Sequence, residues 1–228
     1  MNDNQPSTSR LAHSPAPPQP YELAAHLAAR LCHDFISPAG AIMSGLDLLN
    51  DPEAQDMRED ALRLIAASSE KLVALLAFDR VAFGASAAAE VFDPRELEKL
   101  TRDIYAHGRA DLDWAVQETS LSKPLARVLL NLAQIGAGLL PTGGTARLTV
   151  TAGAEETEVC VRAEGPRARL RQEVAEGLEG LPLGDGLGGH WVQAYYLKSL
   201  VEAANGKIET EVGETVISVL ARMPRLEA

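Results

Sequence analysis

The sequence predicts an α+β protein: an antiparallel helical hairpin, then a mixed sheet with helices packed on one face. Three observations carry that expectation. Between Tyr21 and Phe83 apolar residues recur at helical spacing, and the pattern breaks at Asn50-Asp51-Pro52. After Gly84-Ala85-Ser86 short alternating segments appear between helical ones, in the order α, β, α, β, β, α, α, β, β. Of 228 residues 46% are hydrophobic and 23% charged, so the chain can bury a core. Aromatics at 4% argue against a β-rich or base-stacking architecture.

Residues 1–20 are rich in Pro, Ser and Asn, and Pro15, Pro17, Pro18 and Pro20 oppose a helix, so a disordered tail is expected. A helical hairpin is expected over 21–86 and a second domain over 87–228. The first helix runs from Tyr21 to Leu49 with Leu27, Leu31, Phe35, Pro38, Ile42, Leu46 and Leu49 along one broad face. The second runs from Glu53 to Phe83, with Leu62, Ile65, Ser69, Leu72, Leu76 and Phe83 at helical spacing. A lone hairpin buries only a narrow seam, and two copies would close a four-helix bundle, so a homodimer is expected.

In the second domain Asp93-Pro94 caps a helix reaching Ala106. Leu112–Gln117 reads as a strand, and Ser122 caps a helix ending at Leu140. Gly143-Gly144 turns into the strands Ala146–Ala152 and Glu158–Ala163. A short helix over Leu170–Leu178, a Gly-rich loop and a helix over Gly189–Ala204 follow. Asn205-Gly206 stops the last of these before the strands Lys207–Val212 and Thr215–Ala221.

Charge narrows the function classes. The formal net charge is −11, and no basic cluster offers the footprint that nucleic acid or an anionic membrane needs. The polar N-terminus is unlike a signal peptide, and no apolar run reaches the ~20 residues of a membrane span. A cytoplasmic protein is expected. Cys32 and Cys160 lack zinc-site spacing and read as free thiols.

The sharpest local feature is His33-Asp34-Phe35-Ile36-Ser37-Pro38. At about 100° per residue, His33 points away from the apolar face of its helix. Its own face carries His26, Arg30, Ser37, Gly40, Ala41 and Ser44. The side chains below His33 are small, so another protein's backbone can approach closely along Ser37, Gly40, Ala41 and Ser44. An exposed imidazole can be a nucleophile toward phosphorus, and Asp34 beside it can hold the second ring nitrogen and steady the cationic product. Pro38 removes a backbone hydrogen bond and should kink the helix.

His33-Asp34-x-x-x-Pro38 resembles the H-box of histidine kinases, and the hairpin resembles their dimerisation and phosphotransfer domain. The second domain resembles their ATP-binding domain in element order and in two stretches. Leu129-Leu130-Asn131-Leu132-Ala133-Gln134-Ile135-Gly136-Ala137 is similar to the N-box helix. Leu197 to Ile208 is similar to the stretch that closes such domains. The nucleotide positions depart. The second N-box Asn, a magnesium ligand, falls on Ile135, which has no oxygen donor. The adenine-reading Asp falls on Ala163 and a loop glycine on Arg167. The phosphate-covering glycines fall in the register of Trp191, Val192, Gln193 and Ala194, whose bulk would fill the nucleotide space. Gly184-Asp185-Gly186-Leu187-Gly188-Gly189 could pass for a phosphate cradle, but a lone glycine cluster reads first as a flexible loop.

A phosphotransfer hairpin joined to a degenerate ATP-binding domain resembles the dimeric, ChpT-type histidine phosphotransferases of alphaproteobacterial phosphorelays. The resemblance implies phosphorylation on His33 with Asp34 assisting. The donor would be the receiver domain of a hybrid histidine kinase, and the acceptors the receiver domains of response regulators. Mg²⁺ would sit in the receiver's acidic pocket, and no cofactor is expected here. Arg30, one turn before His33, is a candidate to steady the transferring charge. The receiver's docking strip would be Ser37, Gly40, Ala41 and Ser44. Two other readings stand beside this one: a divergent ATP-dependent histidine kinase, and a non-catalytic module that sequesters receivers. Metal binding by His26 and His33 lacks an evident third ligand.

Overall fold

The computed structural model describes residues 18–84, 89–183 and 188–225. Residues 1–17 of the expected tail, Ala85 and Ser86 of the linker, and 184–187 of the glycine-rich loop lie outside the described residues. Helix α1 spans Pro20–Asn50 and begins inside the segment read as a tail. Pro20 occupies the first helical turn, where a missing N–H costs nothing, and the Gln19 N–H donates to the Glu22 carboxylate at 2.8 Å. The helix runs unbroken through Pro38. Asp51 ends it, and its carboxylate accepts from the Glu53 N–H at 2.9 Å. A 3₁₀ segment over Pro52–Met57 precedes helix α2, Arg58–Ala82, so the regular second helix starts later than expected. Ala54, at φ −107°, is a non-helical residue inside the 3₁₀ segment.

The hairpin seam differs from the expected one. Pro38 and Gly45 are the buried residues of α1, Gly45 faces Ala61 and Ile65 of α2, and Phe78 and Ala82 of α2 join the core of the second domain. Leu46 stays 40% exposed, and Leu62 and Leu76 49% and 48%. Close approach explains the difference. A Cβ on Gly45 would meet Ile65 Cγ1 at 2.6 Å, so small residues pack inside and larger ones turn outward.

The second domain opens with strand β1 (Val91–Phe92) and helix α3 (Pro94–Tyr105), capped by Asp93, whose carboxylate accepts from the Arg95 N–H. Strand β2 covers Ala110–Trp114 rather than Leu112–Gln117, because its parallel pairing with β4 ends at Trp114↔Leu148. Strand β3 (Leu121–Ser122) pairs with β1 in a two-stranded ribbon that sequence periodicity did not foretell. Ser122 precedes helix α4 (Lys123–Leu139) but makes no side-chain cap bond. Strands β4 (Gly144–Ala152) and β5 (Glu156–Glu164), helices α5 (Gln172–Glu179) and α6 (Gly188–Ala203), and strands β6 (Lys207–Val212) and β7 (Val216–Pro224) complete the chain.

The main sheet runs β2-β4-β5-β7-β6, parallel only between β2 and β4. Alternate residues of the central strands face one way. Leu148, Val161 and Val219 stand side by side, as do Ala146, Ala163 and Ile217, all fully buried. Leu129, Leu130, Leu132 and Ala133 of α4, and Val192, Leu197 and Val201 of α6, are buried with no exposed surface. The opposite sheet face stays polar, with Arg147, Thr149, Arg162, Glu209 and Glu211. The fold is therefore helices on one face of a mixed sheet, as expected.

The two domains meet along α1 and α6, and where α2 meets α3 and α4. Asn131 works at the second seam. Its Nδ2 donates to the carbonyls of Arg127 (2.9 Å) and Ala82 (3.3 Å), tying α4 to the end of α2.

Candidate phosphotransfer site

His33 projects from the middle of α1 with its side chain 85% exposed. Its Nδ1 lies 3.2 Å from Asp34 Oδ1. When Nδ1 carries the proton and donates it to that carboxylate, Nε2 keeps its lone pair and faces outward. Pro38 has no N–H for the Asp34 carbonyl, four residues back, so the helix ladder lacks one bond at the residue beside His33.

Arg30 departs from the expectation of a residue beside the imidazole in solvent. Its side chain is 11% exposed. Nη1 donates to the Gly189 carbonyl at 2.6 Å, and Nε lies 3.5 Å from Asp34 Oδ2. Arg30 therefore joins α1 to the first turn of α6 and holds the carboxylate that contacts His33. Burial lowers its pKa, opposed by the charges of Asp34 and Asp79. Asp79, in the last turn of α2, is buried, and neither carboxylate oxygen has a hydrogen-bond partner. Burial pushes its pKa up to about 7, with Arg30 pulling it down and Asp34 pushing it up.

A groove of about 350 Å³ opens beside His33 between α1 and α6. His26, Arg30, His33 and Asp34 line one wall, and Gly188, Gly189 and His190 the other. His26 sits edge-on to Trp191 with ring centroids 5.7 Å apart. Burial lowers the pKa of His190, and Arg171 and Arg30 lower it further. Below His33, Ser37, Gly40 and Ser44 are exposed and Ala41 half-buried. A Cβ on Gly40 would meet nothing within 4 Å, and the Ser44 hydroxyl donates back to the Gly40 carbonyl at 3.1 Å. The strip is open and low. Among the described residues no group of three or more His, Cys, Asp or Glu side chains could hold a metal ion.

Of the positions read as lost nucleotide contacts, Arg167 is exposed and the others are buried. Ile135 and Ala163 are buried in the core, and Trp191, Val192, Gln193 and Ala194 are all buried. Gly177 lets α5 close on them: a Cβ there would meet the Trp191 carbonyl at 2.6 Å.

Comparison with known proteins bears on this arrangement. The family described as histidine phosphotransferase C-terminal domain matches residues 94–216. The chain is 32% identical over 188 residues to the protein phosphotransferase ChpT of Brucella abortus (strain 2308), covering 82% of this chain and 88% of that one. The chain belongs to the histidine phosphotransferase family. It also superposes on a bacterial phosphotransferase structure with a TM-score of 0.80 at 30% identity, covering 91% of this chain and 98% of that one. The histidine kinase AdeS of Acinetobacter baumannii aligns at a TM-score of 0.45 and 12% identity, covering 84% and 97%, too low to carry an argument.

As a ChpT-type histidine phosphotransferase, the protein is a transferase of phosphorelay signalling. Among its described residues no helix is long and apolar enough to cross a membrane. Sequence reading of this histidine phosphotransferase missed Asp79 and His190. Asp79 lies in the second helix, and no local pattern distinguishes it from a solvated acid. His190 follows the glycine cluster that was read as a loop. The helix begins at Gly188, one residue before the expected Gly189, and both glycines face the groove.

Proposed function

We propose that His33 is the phosphoryl carrier. It takes the group from an aspartyl phosphate on the receiver domain of a hybrid histidine kinase and gives it to the receiver aspartates of response regulators. The observation that carries this reading is an exposed imidazole whose Nδ1 faces a carboxylate. In the forward step the Nε2 lone pair attacks phosphorus, an N–P bond forms, and the P–O bond to the aspartate breaks. The aspartate leaves as a carboxylate. The ring becomes cationic, and Asp34 across Nδ1–H stabilises it. The second receiver's carboxylate reverses these bonds. Mg²⁺ in this reading belongs to the receiver's acidic pocket. Arg30 acts through Asp34, which it orients from its buried seat. Ser37, Gly40, Ala41 and Ser44 give the receiver a low surface, and the Gly188–His190 turn forms the far wall.

The same reading makes the protein a homodimer that binds no ATP. Ile36, Met43, Leu62, Val73 and Leu76 leave a broad apolar surface on the hairpin, each between 48% and 69% exposed, which a second hairpin would cover. Ile135, Ala163 and the buried side chains from Trp191 to Ala194 oppose a nucleotide.

The test is label transfer from a receiver domain carrying radiolabelled aspartyl phosphate to wild type and to His33→Ala. Acid-labile, base-stable label on wild type only is the expected result. No label from several donors would favour a sequestering module, and label from ATP alone would restore the kinase reading.

A further inference from the structure

A second, smaller cavity lies behind the groove, on the sheet-domain side of Arg30. It measures about 150 Å³. Its rim carries Arg30 from α1, Arg169 and Arg171 from the segment before α5, His190 and Gln193 from α6, and Gln134 from α4. Ile135, Leu139 and Val174 form the apolar part of its lining. Three arginines line it, Arg169 exposed and Arg171 half-buried, and among the described residues no carboxylate does. We propose that this cavity is a binding site for a small phosphate oxyanion, inorganic phosphate or pyrophosphate, and that it excludes nucleotides.

Three observations carry the proposal. The Arg30 side chain, 11% exposed, lines the cavity, and its Nε makes no hydrogen bond, Asp34 Oδ2 being 3.5 Å away. The Arg171 Nε is likewise buried without a partner, and the Arg169 and Arg171 side chains form no ion pair among the described residues. A buried donor without an acceptor is costly, and a tetrahedral oxyanion offers acceptors that a guanidinium fork matches. The acids nearby are not in the cavity wall. Asp34 and Asp79 act on Arg30 from the hairpin, and Glu173 and Asp34 act on His190. Burial together with Arg171 and Arg30 keeps His190 below its ordinary pKa, the state of a site with cations to spare.

Size sets the ligand class. Sites that hold a whole drug-sized ligand span about 300–1,000 Å³, twice this cavity or more. A phosphate fits. The adenine side is closed, since Ala163, Trp191 and Val192 are packed with at most 1% exposure. The site needs no phosphohistidine, so it stands or falls apart from the relay.

The experiment is titration of the full chain with inorganic phosphate, pyrophosphate and ADP at matched ionic strength, read by calorimetry. In parallel, NMR follows the His190 ring, assigned by its loss in His190→Asn. Pyrophosphate should saturate one site per chain and move the His190 titration to higher pH, because an anion favours the charged ring. Arg169→Gln/Arg171→Gln should weaken binding by about tenfold or more, while Arg171→Lys retains most of it. The wild-type NMR result needs no variant to fold. Absence of saturable binding, an unmoved His190, or a double variant that binds like wild type would overturn the proposal. So would ADP binding about tenfold tighter than pyrophosphate, which would mark a nucleotide site.

Discussion

In the proposed function, His33 works through one contact and its openness. Nδ1 meets Asp34 at 3.2 Å, and little else touches the ring. Asp34→Asn keeps the side chain's shape but removes the charge that steadies a cationic phosphoimidazole. Single-turnover transfer from a phosphorylated receiver should slow by about 10²-fold or more. Asp79 predicts a pH effect of the opposite kind. Its folded pKa of about 7 stands above the carboxylate reference of 3.8. Between those values the native state binds more protons than the unfolded one, so stability falls as pH rises from about 4 to about 7 and then levels. The single-group contribution is up to about 4 kcal/mol. Arg30 and Asp34 are the charged groups that act on it. Asp79→Asn should flatten this part of the pH profile in urea denaturation, and an unchanged slope would contradict the assignment.

The hairpin depends on small residues where its two helices come closest. Gly45 faces Ile65 and the Ala61 carbonyl, which an added Cβ would meet at 2.6 and 3.1 Å. Gly45→Val should destabilise by about 1–3 kcal/mol through overpacking, despite losing a helix-weakening glycine, and a thermal melt reads it. The outward stripe makes a separate prediction. Leu62→Glu/Leu76→Glu changes two half-exposed positions, so each chain should stay folded while sedimentation shifts from dimer to monomer. A wild-type monomer at micromolar concentration would remove the basis for the four-helix bundle.

Across the whole molecule, the buried Arg30 links three pieces of chain that are distant in sequence. It bonds the Gly189 carbonyl of α6, pairs with Asp34 on its own helix, and feels the charge of Asp79 on α2. This strut sets the second domain against the phosphotransfer helix and shapes the groove beside His33. Arg30→Met should cost about 3 kcal/mol in chemical denaturation, because the Gly189 carbonyl loses its donor, Asp34 loses its ion-pair partner, and Asp79 is pushed further toward its protonated form. Adding Asp79→Asn should return part of that loss. Simple additivity of the two substitutions would show that they do not interact.

Local sequence determined the elements. Helical spacing, Asp51-Pro52, Asp93-Pro94 and Asn205-Gly206 placed most helix ends within a few residues, because caps and breakers act on their nearest neighbours. The strand alternation that fills the core was equally legible, from Ala146 to Val150 and from Val159 to Ala163. So was the outward direction of His33, since one helix and its period suffice to orient it. Tertiary structure decided what depends on distant partners. The β1–β3 ribbon is too short to have a period of its own. The inward turn of Gly45 and Ala61, and the outward turn of Leu62 and Leu76, follow from how closely two helices can approach. Arg30 looked like a solvated helix residue until α6 covered it, and Asp79 like an ordinary surface acid until burial took its water away. A charge's meaning lies in its surroundings, and those are assembled from residues far apart along the chain.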